Sequence, residues 1–185
     1  MKHSNFIRLL LFATILASCG LLDSHKDKVE VQYATGKLND VDWTAEVRGV
    51  YREQGDSLLV LISADKSHPD QWPYWEDLFL SILVLNGHTS YELQNPSGDD
   101  VFYTSRGFYS EMDDDVIIAS YQLEPSLMHT ASITLANLDK NRKIAEGSFN
   151  ATFNVLNDYR DRPDRLQEDT LRFRNGRYRV VLEAY

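Results

Sequence analysis

From Thr35 to the last residues, apolar and polar side chains alternate with a period of two, and turn-forming residues interrupt the alternation every eight to fifteen positions. A period of two is the geometry of a β-strand, whose successive side chains point to opposite faces. The cleanest run sets Phe149, Ala151, Phe153 and Val155 against Ser148, Asn150, Thr152 and Asn154. Leu58-Val60-Ile62, Val101 to Tyr109, Val116 to Leu123 and Ala131-Ile133-Leu135 read the same way, giving about eleven strands with no long helix and no internal repeat. An open sheet of that many strands would expose long edges. The expected fold is therefore all-β, an antiparallel β-sandwich or flattened barrel.

Three turn pairs predict registers. Asn175-Gly176 predicts a two-residue type I′ hairpin with Phe173 opposite Tyr178 and Leu171 opposite Val180. Asn86-Gly87 predicts Val84 opposite Thr89, Ile82 opposite Tyr91 and Leu80 opposite Leu93. Asn39-Asp40 places Gly36 opposite Trp43 and Lys37 opposite Asp42, with Leu38, Val41, Trp43, Ala45 and Val47 inside. The first register also puts Arg172, Arg174, Arg177 and Arg179 on one outer face, Arg174 against Arg177 and Arg172 against Arg179. Like charges directly opposite destabilise a sheet. A carboxylate of the same domain or an external anion is expected to answer them.

The first thirty residues obey a different logic. Lys2 and Arg8 open the chain as a charged region, the apolar run from Ile7 to Leu16 that follows is almost without polar interruption and too short to span a bilayer as a permanent helix, and Leu16-Ala17-Ser18 leads directly into Cys19. The expected organisation is a signal peptide over 1–18, a polar tether over 19–30 and a single β-domain over 31–185. Leu16-Ala17-Ser18-Cys19 resembles the lipobox of bacterial lipoproteins. That resemblance implies a diacylglyceryl group on the Cys19 thiol, cleavage just before it and an acylated new amine, hence palmitate-type chains and an address in the cell envelope, at the outer membrane. Each methylene buried in the bilayer adds about 0.8 kcal/mol, so several chains anchor stably.

Cys19 is the only cysteine, which leaves the mature domain without a disulfide or a thiol nucleophile. Without residues 1–18, 17 basic residues face 28 acidic ones, a net charge of −11. Such a surface repels phosphate backbones, which argues against nucleic acid as a partner and leaves membrane contact to the lipid.

Together with the lipobox, the segments Gly36-Lys37-Leu38-Asn39-Asp40-Val41-Asp42-Trp43-Thr44-Ala45, Gly147-Ser148-Phe149-Asn150-Ala151-Thr152-Phe153 and Arg174-Asn175-Gly176-Arg177-Tyr178 resemble small β-rich lipoproteins of Bacteroidetes-type bacteria. The Trp72 to Trp75 segment has no counterpart in that pattern. The family has no established activity, so the resemblance implies a fold class and an envelope address and no site residues.

No nucleophile elbow, phosphate loop, paired-histidine motif or dinucleotide fingerprint is present, so neither catalytic residues nor a cofactor are expected. His25, His68, His88 and His129 are scattered, and no metal site is expected from their spacing. Glu111 with Asp113-Asp114-Asp115 reads as a solvated acidic turn lacking the ligand spacing of a calcium loop. The stretch from Asn157 to Asp169 interleaves arginines and acids and reads as an exposed, self-paired connection. The loop from His68 to Asp77 concentrates Trp72, Tyr74 and Trp75 beside carboxylates. It is either a contact platform for a protein or glycan, or a set of rings that folds back to plug an open end of the domain. Asp56-Ser57-Leu58 and Asp169-Thr170-Leu171 resemble O-glycosylation acceptor motifs of the same bacterial group, implying Ser57 and Thr170 as modification sites. The function expected is that of a non-enzymatic, lipid-anchored binding lipoprotein; a calycin-like carrier of an apolar ligand and an uncharacterised enzyme are the rivals.

Overall fold

The alternation is realised as strand after strand. The structure is a computed structural model that describes residues 31–54, 57–68, 70, 74–95 and 104–184. Within them run eleven strands: β1 (Tyr33–Leu38), β2 (Val41–Gln54), β3 (Ser57–Ser67), β4 (Tyr74–Val84), β5 (Ser90–Glu92), β6 (Arg106–Asp113), β7 (Val116–Leu123), β8 (Ser132–Thr134), β9 (Asn137–Asp139), β10 (Ile144–Val155) and β11 (Thr170–Ala184). Eight of them close into a ring in the order β1, β2, β3, β4, β6, β7, β10, β11 and back to β1. Beyond the end of the short β1, β11 also lies parallel to β2, with Leu182 beside Gly49. Strands β7, β8 and β9 follow one another along a single edge of β10, and β5 pairs with β8. Closure removes the long exposed edges that an open sheet would carry. The expected all-β architecture is the one observed. Of the Val101 to Tyr109 run, residues 101–103 lie outside the described residues, and β6 begins at Arg106.

Inward side chains fill the ring. Phe173 on β11 stands at the centre, its ring centroid 5.1 Å from Trp43, 5.7 Å from Tyr109, 5.9 Å from Phe149 and 6.0 Å from Phe153. Aliphatic side chains of β3 and β4, among them Val60, Ile62, Leu78, Leu80 and Ile82, complete a fully buried layer around these rings.

The three turn pairs have three different outcomes. Asn39 and Asp40 both take positive φ (48° and 66°), the requirement of a type I′ turn. Gly36 does face Trp43, and Lys37 meets Asp42 in a 2.5 Å ion pair. Leu38, Trp43, Ala45 and Val47 are buried as expected, but Val41, next to the turn, is 69% exposed.

Asn86-Gly87 makes a turn, with Gly87 at φ 80° and the His88 N–H donating to Leu85 O at 3.1 Å. The expected hairpin does not form, because β3 and β6 already occupy both edges of β4, and β5 pairs with β8 instead.

Asn175-Gly176 is not a hairpin either: β11 runs straight through it. Asn175 alone is left-handed, at φ 53°, whereas a type I′ turn needs two such residues. The pair forms a bulge against β1 and β10. Gly176 is a glycine for packing reasons, since a Cβ there would lie 2.6 Å from the Phe149 ring. The extra residue resets the phase, so Leu171 and Phe173 before it and Tyr178 and Val180 after it all point inward. The four arginines consequently do share the outer face, but they are strung along one strand and do not oppose one another. Arg172 faces Thr152, Arg174 faces Lys37, and Arg177 and Arg179 face Ser148 and Glu146 on β10.

Candidate functional site: the polar mouth of the ring

One end of the ring gathers the β1–β2 turn, the last residues of β3 with His68, the start of β4, the β6–β7 turn and the connection 156–169 from β10 to β11. Towards this end the inward register of β4 runs Ile82, Leu80, Leu78 and then Glu76, and that of β6 ends on Tyr109 and Glu111. Glu76 and Glu111 are direct neighbours across β4 and β6, and both are fully buried. Two opposed carboxylates in an apolar ring demand compensation, because a buried charge is tolerated only when paired and hydrogen-bonded.

Each carboxylate is partly compensated. Glu76 Oε1 accepts from His68 Nε2 at 2.6 Å and from Gln167 Nε2 at 2.6 Å, with Lys66 Nζ 3.8 Å away. Glu111 accepts from the Tyr121 hydroxyl, from the Leu166 N–H at 2.5 Å and from the Gln167 N–H at 3.1 Å. Residues 165–167 therefore lie across the mouth as a strap whose backbone caps one glutamate and whose side chain caps the other. Asn39 secures the end of the strap by donating to Thr170 O at 3.1 Å and accepting from the Arg172 N–H at 2.9 Å. Burial, with the Glu76 and Glu111 charges, pushes the Tyr109 hydroxyl well above the usual phenol range; burial and its bond to Glu111 do the same to Tyr121. Both phenols stay protonated.

Compensation is incomplete. Among the described residues six buried side-chain atoms lack a hydrogen-bond partner, and five belong to this end: Trp43 Nε1, Glu76 Oε2, the Tyr109 hydroxyl oxygen, and Nε and Nη1 of Arg165. The Tyr109 hydroxyl lies within hydrogen-bonding reach of Glu76, whose charge and bond both act on it, but the contact falls short of a well-formed hydrogen bond. Buried polar atoms are nearly always paired, so such a concentration needs a reason. Beside the carboxylates lies a cleft of about 300 Å³ walled by Leu38, Val41, Trp43 and Leu166, with Lys66 and Gln167 reaching both the cleft and Glu76.

A second concave surface lies on the outside of the ring. Glu46, Arg48, Asp65, Ser67 and Trp75 line a groove of about 370 Å³ across β2, β3 and β4. Ser63 Oγ sits 2.8 Å from Asp77 and 3.1 Å from Asp65, one proton between two carboxylates, while Arg48 lies 3.6 Å from Asp65. Burial raises the Asp77 pKa to about 6, the Ser63 bond opposing and the Asp65 charge reinforcing the shift. The same outer face continues into Phe79 and Phe108, stacked 4.8 Å apart.

Several sequence expectations need correcting. The aromatic segment is not all loop, because Tyr74 and Trp75 open β4 on opposite faces, Tyr74 inward and Trp75 outward. They cannot form one platform; Trp72 lies outside the described residues, as does Cys19. Glu111 is not part of a solvated turn but a buried member of β6, and only Asp114 and Asp115 are the exposed turn. The 157–169 connection is self-paired at Arg162–Asp164 and Arg165–Asp169, both 2.6 Å, yet it is not simply exposed, since its strap enters the mouth.

Among the arginines, Arg179 pairs with Glu146 and Arg174 lies 3.3 Å from Asp40, so carboxylates of the same domain answer two of the four, while Arg172 and Arg177 are exposed. Thr170 donates to Asn154 at 2.8 Å at the start of β11; Ser57 opens β3, its side chain outside what the structure describes.

No sequence motif marks the mouth. Its signal was a glutamate continuing the apolar parity of a strand, as Glu76 follows Ile82, Leu80 and Leu78. Compared with family models, curated proteins and solved structures, the chain matches none.

Proposed function

We propose that the chain is a lipid-anchored envelope lipoprotein, held by Cys19, that binds glycan on the outer face of β2, β3 and β4 without catalysing a reaction. The observation that carries the reading is the groove around Trp75. A partly exposed indole offers a flat apolar surface to the C–H face of a sugar ring. Around it Glu46 and Asp65 accept from sugar hydroxyls, and Arg48 and Ser67 donate. A carrier of an apolar ligand has less support, because the centre of the ring is occupied by Phe173 and the rings packed on it.

Neutral hexose oligosaccharides titrated into the mature protein should change its tryptophan fluorescence saturably. Trp75→Ala should weaken that binding at least about tenfold, or about 1.4 kcal/mol; equal affinity in the variant would overturn the groove reading. Separately, Cys19→Ala should lose fatty-acid labelling and leave the membrane fraction. Retention of that variant after a high-salt wash would contradict the anchor.

A further inference from the structure

The mouth of the ring is a second site, independent of the Trp75 groove. We infer that it binds one neutral, polyhydroxylated ring of monosaccharide size, and that Gln167 occupies the position of that ligand in the strap-closed state. Three observations converge. The first is the set of atoms without partners: Trp43 Nε1 and Arg165 Nε and Nη1 need acceptors, Glu76 Oε2 needs a donor, and the Tyr109 hydroxyl can take either. A ligand that completes such a set must both donate and accept, which hydroxyl groups do.

The second is the charge balance. Lys66 lies 3.8 Å from Glu76, and Arg165, whose charge acts on the Tyr121 that bonds Glu111, pairs with Asp169 at 2.6 Å. Bringing in an ion would disturb a nearly neutral network and incur its own desolvation cost, whereas a polyol adds no charge.

The third is access. The cleft of about 300 Å³ is at the lower end of small-molecule sites, and Gln167 and Lys66 touch both it and Glu76. The Gln167 amide donates to Glu76 at 2.6 Å as a sugar hydroxyl would. Moving that one side chain aside joins the cleft to the carboxylates, with Trp43 as the apolar wall. Glu111 stays capped by the strap backbone.

The test titrates glucose, galactose, mannose and N-acetylglucosamine into the mature protein, followed by chemical-shift changes at the Trp43 indole N–H. At least one sugar should saturate the signal. Gln167→Ala, which removes the competing side chain, should bind it about tenfold tighter, the effect of losing one hydrogen bond to a charged acceptor. Glu76→Gln and Lys66→Ala should each weaken it about tenfold or more, and partly exposed Lys66 keeps the test open if Glu76→Gln fails to fold. Trp75→Ala should leave the signal unchanged. Absence of saturation in both the wild type and Gln167→Ala would overturn the inference. So would binding that Trp75→Ala abolishes while Lys66→Ala does not, which would assign the sugar to the outer groove.

Discussion

The centre of the ring and its mouth are built by the same strands in the same register, yet they are held together by opposite means. At the centre, Phe173, Trp43, Phe149 and Phe153 need only one another, and their contacts are non-directional burial. At the mouth, Glu76 and Glu111 need donors, and beside His68 and Tyr121 these come from a strap 91 and 55 residues further along the chain. An apolar interior is complete once its strands close, whereas a polar one depends on a segment that arrives later in the sequence. That dependence also explains why orphan polar atoms concentrate where they do: the strap satisfies most of the carboxylate oxygens but not all of them.

The largest expected effect tests the self-sufficiency of the centre. Phe173→Ala should cost about 3–5 kcal/mol in denaturant unfolding, the range for truncating a buried aromatic. A loss below about 1 kcal/mol would mean that the rings are not the organising core. A smaller effect tests the dependence of the mouth. Glu111→Gln keeps the shape but turns an NH₂ group toward N–H donors or Tyr121, and should cost about 1–3 kcal/mol, the penalty for an unsatisfied buried polar group. An unchanged midpoint would show that the strap contributes nothing to holding the fold.

The smallest effect sharpens the contrast with a carboxylate on the outside. The Asp77 pKa lies at about 6 in the folded state, against an ordinary 3.8. The folded protein therefore holds the proton more tightly, and stability falls as pH rises from 3.8 to about 6. Asp77→Asn should stabilise by about 1 kcal/mol at pH 7, after allowing for solvent screening of a partly exposed group. The gain should vanish below pH 3.8, the unfolded value. Urea unfolding of both proteins across this range measures it, and an equal gain at all pH values would remove the electrostatic explanation.

Much of the fold was legible because period-two alternation is a local signal. Phe149 to Val155 and the Asn39-Asp40 hairpin follow directly from it. The pairings after Asn86-Gly87 and Asn175-Gly176 were not legible, because the same dipeptides serve as a turn between strands that diverge and as a bulge within one strand. Which of these occurs depends on whether the neighbouring edges are already taken, a property of the closed ring. The mouth was least legible for the same reason: Glu76 beside aromatics and Glu111 beside three aspartates both look like loop residues until β4 and β6 are aligned. Trp75 stands out in the sequence only as one of a group of loop aromatics; its place on β4 and its neighbours Arg48 and Asp65, which come from β2 and β3, are not joined to it by spacing.

The most direct test of the strapped mouth is native-state hydrogen exchange at the Leu166 and Gln167 amides. Both lie in a connection between strands, where exchange is ordinarily fast, yet both donate to a carboxylate that is fully buried. The expected result is protection approaching that of ring amides such as Val60 and Ile82, lost in Glu111→Gln. Exchange at Leu166 and Gln167 as fast as at the exposed Asp161 would contradict the capping of the glutamates, and with it the picture of a polar mouth completed by its strap.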